Sequence, residues 1–329
     1  MAGDQLTVGN VVRPDSLVPA AAPTLYFIGV TTGHSMIQSV FPRWARHLGL
    51  TEAVLCGIDI PVHAPVEPYR EVVEFIKRDP LSLGALVTTH KIDLFHACED
   101  QFDVIDQHAR LMSEVSCLSK QGDAFVAHAK DPISSGLALE AFVPAGHWAD
   151  SGAEVLSMGA GGSTIALSWY LSQTSRGADR PARIIVSNRS APRLATIAAV
   201  RDQMHTDTPF EFVLAPHPAE NSNIVDRLPE GSLVINATGL GKDAPGSPLA
   251  GTELFPRNGL AWDLNYRGDL VFLDQARSQA AERDLVVEDG WIYFLYGWTQ
   301  VVAEVFHIDI PTHGPQFDAL AAIATNARD

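Results

Sequence analysis

From Thr24 onward, short apolar runs alternate with longer stretches whose apolar residues recur at helical spacing. That alternation is the mark of an α/β fold, a parallel sheet covered by helices. In the first half the pattern predicts strands over 25–30, 53–58 and 85–89, and helices over 36–47, 68–77 and 92–106. A Gln121-Gly122-Asp123 turn joins runs 115–119 and 124–129 as a hairpin. In the second half, run 154–158 ends in Gly159-Ala160-Gly161-Gly162, and 165–171 continues from it with helical spacing. Further strands are predicted over 183–187, 210–214, 233–237, 260–264 and 285–287, completing a doubly wound sheet. The segment after Asp289 reads as helices that pack back on the first half.

Length and charge narrow the class. A chain of 329 residues is long enough for two domains, and 46% hydrophobic with 19% charged residues is a globular balance. Domain boundaries are expected at 24–131, completed by 289–329, and at 132–288. The 39 acidic residues outnumber the 23 basic ones and leave a net charge of −16, which argues against nucleic acid and anionic membrane as partners. No apolar run reaches the ~20 residues of a membrane span. Residues 1–23 lack a basic start with an apolar core and contain Pro14, Pro19 and Pro23, so they read as a loose leader on a cytoplasmic protein. Three cysteines without Cys-x-x-Cys spacing build neither a disulfide framework nor a zinc ribbon. The run His96-Ala97-Cys98-Glu99-Asp100 fits no standard metal-ligand set, and no metal is expected.

Chemistry enters at strand ends. The Gly159-Ala160-Gly161-Gly162 turn, followed by Ser163, sits where a strand hands over to a helix, so its amides can approach a pyrophosphate at the positive helix end. The next strand ends in Asn188-Arg189-Ser190, with Arg193 three residues on. An acidic residue there would hold a free ribose hydroxyl, whereas guanidinium forks suit the extra phosphate of NADP. This half therefore reads as a Rossmann NADP-binding domain. Lys91 follows the 85–89 run and Asp131 follows the 124–129 run, both where open sheets bind ligands. A lysine and an aspartate can together move the proton of a substrate hydroxyl while hydride passes to a nicotinamide.

The order of these motifs resembles the shikimate dehydrogenase family from about Leu25 to Phe306. Matching segments are Gly29 through His34-Ser35, Val87-Thr88 with Lys91, Asp131, the glycine turn, Asn188-Arg189-Ser190 with Arg193, Ile235-Asn236-Ala237-Thr238 with Gly241, Ser247-Pro248-Leu249, Asp263 with Tyr266, and Asp289-Gly290 with Gln300. The resemblance implies that Lys91 and Asp131 are the catalytic pair and that NADP is the cofactor. It implies a small-molecule substrate at Ser35, Ile37, Thr88, Tyr266 and Gln300, adds Ala237, Thr238 and Gly290 to the cofactor site, and fits a monomer or homodimer with a place in aromatic amino acid biosynthesis.

Departures gather on the substrate side. Ile37 stands where a second carboxylate-binding serine is expected, Leu86 and Ser116 replace asparagines, and Ala129-Lys130 replaces Asn-Thr before the aspartate. Unpaired ligand groups cost roughly 1–3 kcal/mol each, so a different cyclic polyol or hydroxy acid is the expected alternative. Lys130 is a candidate replacement anion partner, and His34, His90 and His128 are candidate hydrogen-bond donors. Two rivals stand beside this reading. A methylene-tetrahydrofolate dehydrogenase shares the topology, although the Asn188-Arg189-Ser190 turn and Gln300 argue against it. A non-catalytic nucleotide-sensing protein would explain the altered pocket but not the retention of Lys91 and Asp131.

Overall fold

The computed structural model describes residues 10–242 and 244–327. They form two compact units, one of residues up to 130 together with 297 onward, the other of residues 131–296.

The first unit is built on β1 (Asn10–Val12), β2 (Thr24–Gly29), β3 (Val54–Asp59), β4 (Ser82–Val87), β5 (Val104–Ile105), β6 (Cys117–Gln121) and β7 (Ala124–His128), in the order β1-β3-β2-β4-β6-β7-β5. Pairing is parallel from β1 to β4, and β6 runs antiparallel to both β4 and β7. Consequently β2, β3, β4 and β7 all end on the same edge, which gathers the loops carrying Ser35, Asp59, Lys91 and Lys130. Helices Val66–Arg78 and Lys91–Cys98 bury Val72, Ile76, Leu94 and Phe95 with Ile28, Ile58 and Val87 of the strands.

Local polar chemistry explains where the sequence pattern misplaced elements. Residues 10–12, read as part of a loose leader, form the edge strand β1, whose Val11 side chain lies over Gly33 and Gly57. The rest of that leader before Asn10 lies outside the described residues. The helix expected over 92–106 stops at Cys98. Asp103 accepts hydrogen bonds from the Phe125 amide and the Lys77 ammonium, drawing Val104–Ile105 into the sheet beside β7. Asp106 then caps the helix Gln107–Met112 through the Ala109 amide. Strand β4 begins at Ser82, earlier than expected, because the Ser82 hydroxyl is satisfied by Asp79 and a polar residue can therefore be fully buried there.

The second unit contains β8 (Val155–Met158), β9 (Ile184–Asn188), β10 (Phe210–Leu214), β11 (Leu233–Asn236), β12 (Leu260–Asp263) and β13 (Val286–Glu288), all parallel in the order β10-β9-β8-β11-β12-β13. Connections leave β8 and β11 toward opposite sides, so the sheet has its topological switch between these two strands. The ends of β11 and β12 are joined by a buried network. Asn236 donates to Asp263, Asp263 accepts the Asn265 amide, and the Asn265 side chain donates to the carbonyls of Thr238 and Leu240. Past Glu288 come the helices Trp291–Phe306 and Pro315–Thr325.

Burial pushes the fully enclosed Asp263 carboxyl from 3.8 up to about 6, against the pull of its Asn236 and Asn265 donors. Between about pH 4 and 6 the folded chain holds a proton that the unfolded chain has released. The associated stability is thus complete below pH 4 and lost as pH rises through 6. Asp263→Asn removes this term: its stability relative to the parent should improve by roughly 2–3 kcal/mol from pH 4 to 7, read from urea unfolding at each pH.

Candidate active site

In the second unit the glycine turn occupies the switch point. Gly159 has φ +118°, and a Cβ on it would lie 2.6 Å from the Ala237 carbonyl oxygen, so the loops after β8 and β11 touch only because this residue is glycine. The Ala237 amide donates to the Met158 carbonyl at 2.9 Å, closing the same contact. Ala160 is buried, Gly161 is the N-cap, and Gly162 and Ser163 begin the helix Gly162–Leu171. No side chain caps that helix, and a Cβ at Gly161 would meet nothing within 4 Å. Open space over uncapped amides is what a pyrophosphate requires. The residues present therefore fit a dinucleotide.

Beside it, Asn188 accepts the Ser190 amide at 2.8 Å and turns the chain into the helix Ala191–Gln203. Arg189 and Arg193 are exposed there. Arg176, Arg180, Arg183 and Arg201 each pair with a carboxylate, whereas among the described residues neither Arg189 nor Arg193 has such a partner. Thr238 is committed locally, its hydroxyl donating to Asn236 at 2.6 Å. Gly290 is required by packing, since a Cβ would come 2.1 Å from the Leu264 carbonyl oxygen. Tyr266 lies against Trp291 and Phe294 in an aromatic cluster of this unit. The Tyr293 hydroxyl is 3.5 Å from Ser163 Oγ, beside the glycine turn.

In the first unit Lys91 opens the helix Lys91–Cys98. Its amide bonds to the Thr88 carbonyl, and its own carbonyl accepts the Val115 amide, which fixes the lysine at the strand edge. Ser35, Thr88 and Gln300 are half-buried, and among the described residues their side chains form no hydrogen bond, leaving two hydroxyls and an amide available. Gln300 is brought over by the helix Trp291–Phe306, whose Trp298 packs edge-on to Phe27 of β2. Asp131, 7% exposed, follows Lys130 directly and opens the helix Asp131–Glu140 of the second unit. That helix packs closely on Gly162–Leu171, since a Cβ at Gly136 would fall 2.2 Å from the Tyr170 ring.

Several expectations fail here for identifiable reasons. Ile37 has no exposed surface and belongs to the core, so it presents nothing to a ligand. His90 is fully buried with both ring nitrogens engaged, by the Tyr69 hydroxyl at 3.1 Å and the Ile60 carbonyl at 2.9 Å. Desolvation lowers its pKa. Lys130 is not a free anion partner, because its ammonium is held by Glu304 at 2.5 Å. Burial alone would raise the Glu304 carboxyl, but the hydrogen bond from Lys130 and the neighbouring His128 keep it below its usual range. His128 is equally occupied, 2.8 Å from Ser119 and 3.4 Å from Asp106. Of the candidate histidines only His34 is exposed. The sequence reading also passed over Asp59, whose Oδ1 accepts both the amide and the hydroxyl of Thr32. Among the described residues no group of three or more His, Cys, Asp and Glu side chains is placed to hold a metal.

No protein-family model matches the chain, and no curated protein matches it by sequence. Solved structures do match. Shikimate dehydrogenase from Thermus thermophilus, in complex with NADP(H) and shikimate, is 21% identical with TM-score 0.66 over 92% of this chain and 99% of that one. Quinate dehydrogenase from Corynebacterium glutamicum, in complex with NAD, is 16% identical with TM-score 0.71 over 93% and 99%. The ligand-free 5-ketofructose reductase of Gluconobacter sp. strain CHM43 is 17% identical with TM-score 0.65 over 93% and 98%. Over the matched 92–93% of its length, this chain has the fold of the shikimate dehydrogenases.

Proposed function

We propose that this chain is an NADP-dependent oxidoreductase that transfers a hydride between the cofactor and a secondary hydroxyl or ketone of shikimate or a related cyclic polyol or hydroxy acid. The observation that carries the reading is the pair of exposed guanidinium groups, Arg189 in the turn after β9 and Arg193 in the first turn of the following helix, which among the described residues have no carboxylate partner and follow the strand next to an uncapped glycine turn at a sheet switch point. In a chain of net charge −16, two unpaired cations beside a pyrophosphate cradle suit a further phosphate. The matched structures that hold a nicotinamide dinucleotide, NADP(H) in one and NAD in another, support the cofactor class.

The bound dinucleotide supplies or accepts the hydride. Gly161, Gly162 and Ser163 would hold its pyrophosphate with backbone amides, and Arg189 and Arg193 would hold the 2′-phosphate. In the oxidative direction the substrate O–H proton leaves to the Lys91 and Asp131 pair as the carbinol C–H bond breaks. In reduction Lys91 donates a hydrogen bond to the carbonyl oxygen and polarises it, and the pair returns the proton to the new hydroxyl. Thr88, Ser35 and Gln300 orient the ring through their free hydroxyls and amide.

Lys91→Ala should lower kcat by about 10²–10⁴-fold while NADPH binding, followed by nucleotide fluorescence, stays within about threefold of the parent. Unchanged turnover would remove Lys91 from the mechanism. Replacing Arg189 and Arg193 together by alanine should cut kcat/KM for NADP at least about tenfold, as expected for lost charge-assisted hydrogen bonds, with little change for NAD. An equal fall for both cofactors would refute the assignment of the extra phosphate. For Gly161→Ala we expect an unaltered melting temperature with weakened dinucleotide binding, whereas Gly159→Ala should destabilise the fold itself, because only at Gly159 does the new methyl collide with backbone.

A further inference from the structure

At the amino edge of the first unit's sheet, the end opposite Ser35 and Lys91, two helices meet beside a cavity that the function above does not use. The helix Ile37–His47 follows β2 and leads back to the start of its parallel neighbour β3, so its last turn lies at that edge, ~16 Å of helix from its first. There it packs on the helix Pro315–Thr325. The fully buried Trp44 donates through Nε1 to the Leu320 carbonyl at 2.8 Å, and Phe41 stacks on Phe306. Next to these contacts a surface cavity of about 470 Å³ is lined by Arg43, Arg46, His47, Ile323 and Asn326.

Positions 43, 46 and 47 are spaced i, i+3 and i+4, so the three basic side chains share one face of their helix. Their charge is not spent within the protein. Among the described residues, half-buried Arg43 donates only to the Asn326 carbonyl, at 3.4 Å, and the exposed Arg46 and His47 have neither a hydrogen-bond partner nor a carboxylate. By contrast Lys77 and Arg78, in the last turn of the helix Val66–Arg78, pair with Asp103 and Glu74. Cations at a helix C-terminus have an ordinary use, because they offset the negative end of the macrodipole. The ends of Ile37–His47 and Pro315–Thr325 together amount to roughly one negative charge, which two guanidinium groups exceed by about one before His47 contributes. That surplus stands in a chain of net charge −16. Like charges one turn apart repel, and a dianion shared between them would remove the repulsion and meet two guanidinium forks at once. The cavity is large enough for a small metabolite.

We propose that Arg43, Arg46 and His47 form a binding site for a phosphate group, carried as the free ion or as a small phosphate monoester. The site belongs to the first unit, whereas the dinucleotide cradle belongs to the second, and the inference does not rest on the oxidoreductase reading.

The test is isothermal titration calorimetry of the full chain with inorganic phosphate and with glycerol 3-phosphate, at an ionic strength held constant with chloride. Arg189→Ala and Arg193→Ala are present throughout, so that those cations contribute no phosphate binding. A single saturable site is expected. Adding Arg43→Gln and Arg46→Gln should weaken it about tenfold or more, as expected for lost charge-assisted hydrogen bonds, with the melting temperature in chloride unchanged. Arg43→Lys with Arg46→Lys keeps the charge but loses the forks, and should bind with intermediate affinity. This pair keeps the test readable should the glutamine pair fail to fold. Tighter binding of the ester identifies a phosphorylated metabolite as the ligand, and equal binding identifies the free ion. Absence of a saturable site, or an affinity that neither pair of substitutions changes, overturns the inference and leaves the oxidoreductase reading untouched.

Discussion

Where neighbouring strands of a parallel sheet send their connections to opposite sides, a crevice opens, and its width depends on how closely two loops can approach. Here the approach is set by Gly159 against the Ala237 carbonyl, where a Cβ would fall 2.6 Å from the oxygen and no other residue could fit. This contact lies directly before the helix Gly162–Leu171, whose first amides no side chain caps. The same rule operates at Gly136, where closeness to Tyr170 seats the helix bearing Asp131 on the helix bearing the glycine turn.

Around these contacts, polar groups fall into two populations. Those with partners hold the scaffold: Asn236, Asp263, Asn265 and Thr238 knit the ends of β11 and β12, and Asp106, His128, Ser119, Glu304 and Lys130 bridge β6 and β7 to the helix Trp291–Phe306. Burying such groups is tolerable only because nearly every donor and acceptor is met. Among the described residues, Ser35, Thr88 and Arg189 have side chains without such partners in the loops after strands, where ligands bind in open sheets, and so do Gln300 and Arg193 on helices. Sorting residues by whether their bonding capacity is spent separates framework from recognition more sharply than residue type does. Lys130 and His90 have the chemistry of ligand-binding groups, yet both are fully used within the protein.

Electrostatics follows the same division. A chain with 39 acidic and 23 basic residues repels anions in general, and in the second unit Arg176, Arg180, Arg183, Arg201 and Arg277 each lie beside a carboxylate. Among the described residues Arg189 and Arg193 have no carboxylate partner, so positive charge stays local there against the global field. On the carboxyl edge of the first unit the balance is opposite, with Asp59 adding negative charge and Glu304 removing the charge of Lys130.

By itself the sequence determined the α/β class, the longer strands of both sheets to within a few residues, and the strand-end positions of Lys91, the glycine turn and Arg189. Such features are local: an apolar run, a glycine cluster or a charge after a strand reads the same in the chain as in space. The short strands β1 and β5 were not legible, because two or three residues carry no periodicity and their place is won by distant partners, Val11 over Gly33 and Gly57, Asp103 under Phe125. Only the tertiary structure decided that Ile37 is core, that Lys130 is silenced by a glutamate 174 positions away, and that Asp59 ties the loop after β2 to β3 through Thr32. The availability of a side chain depends on which remote residue neutralises or covers it, and that pairing exists only once the chain has folded.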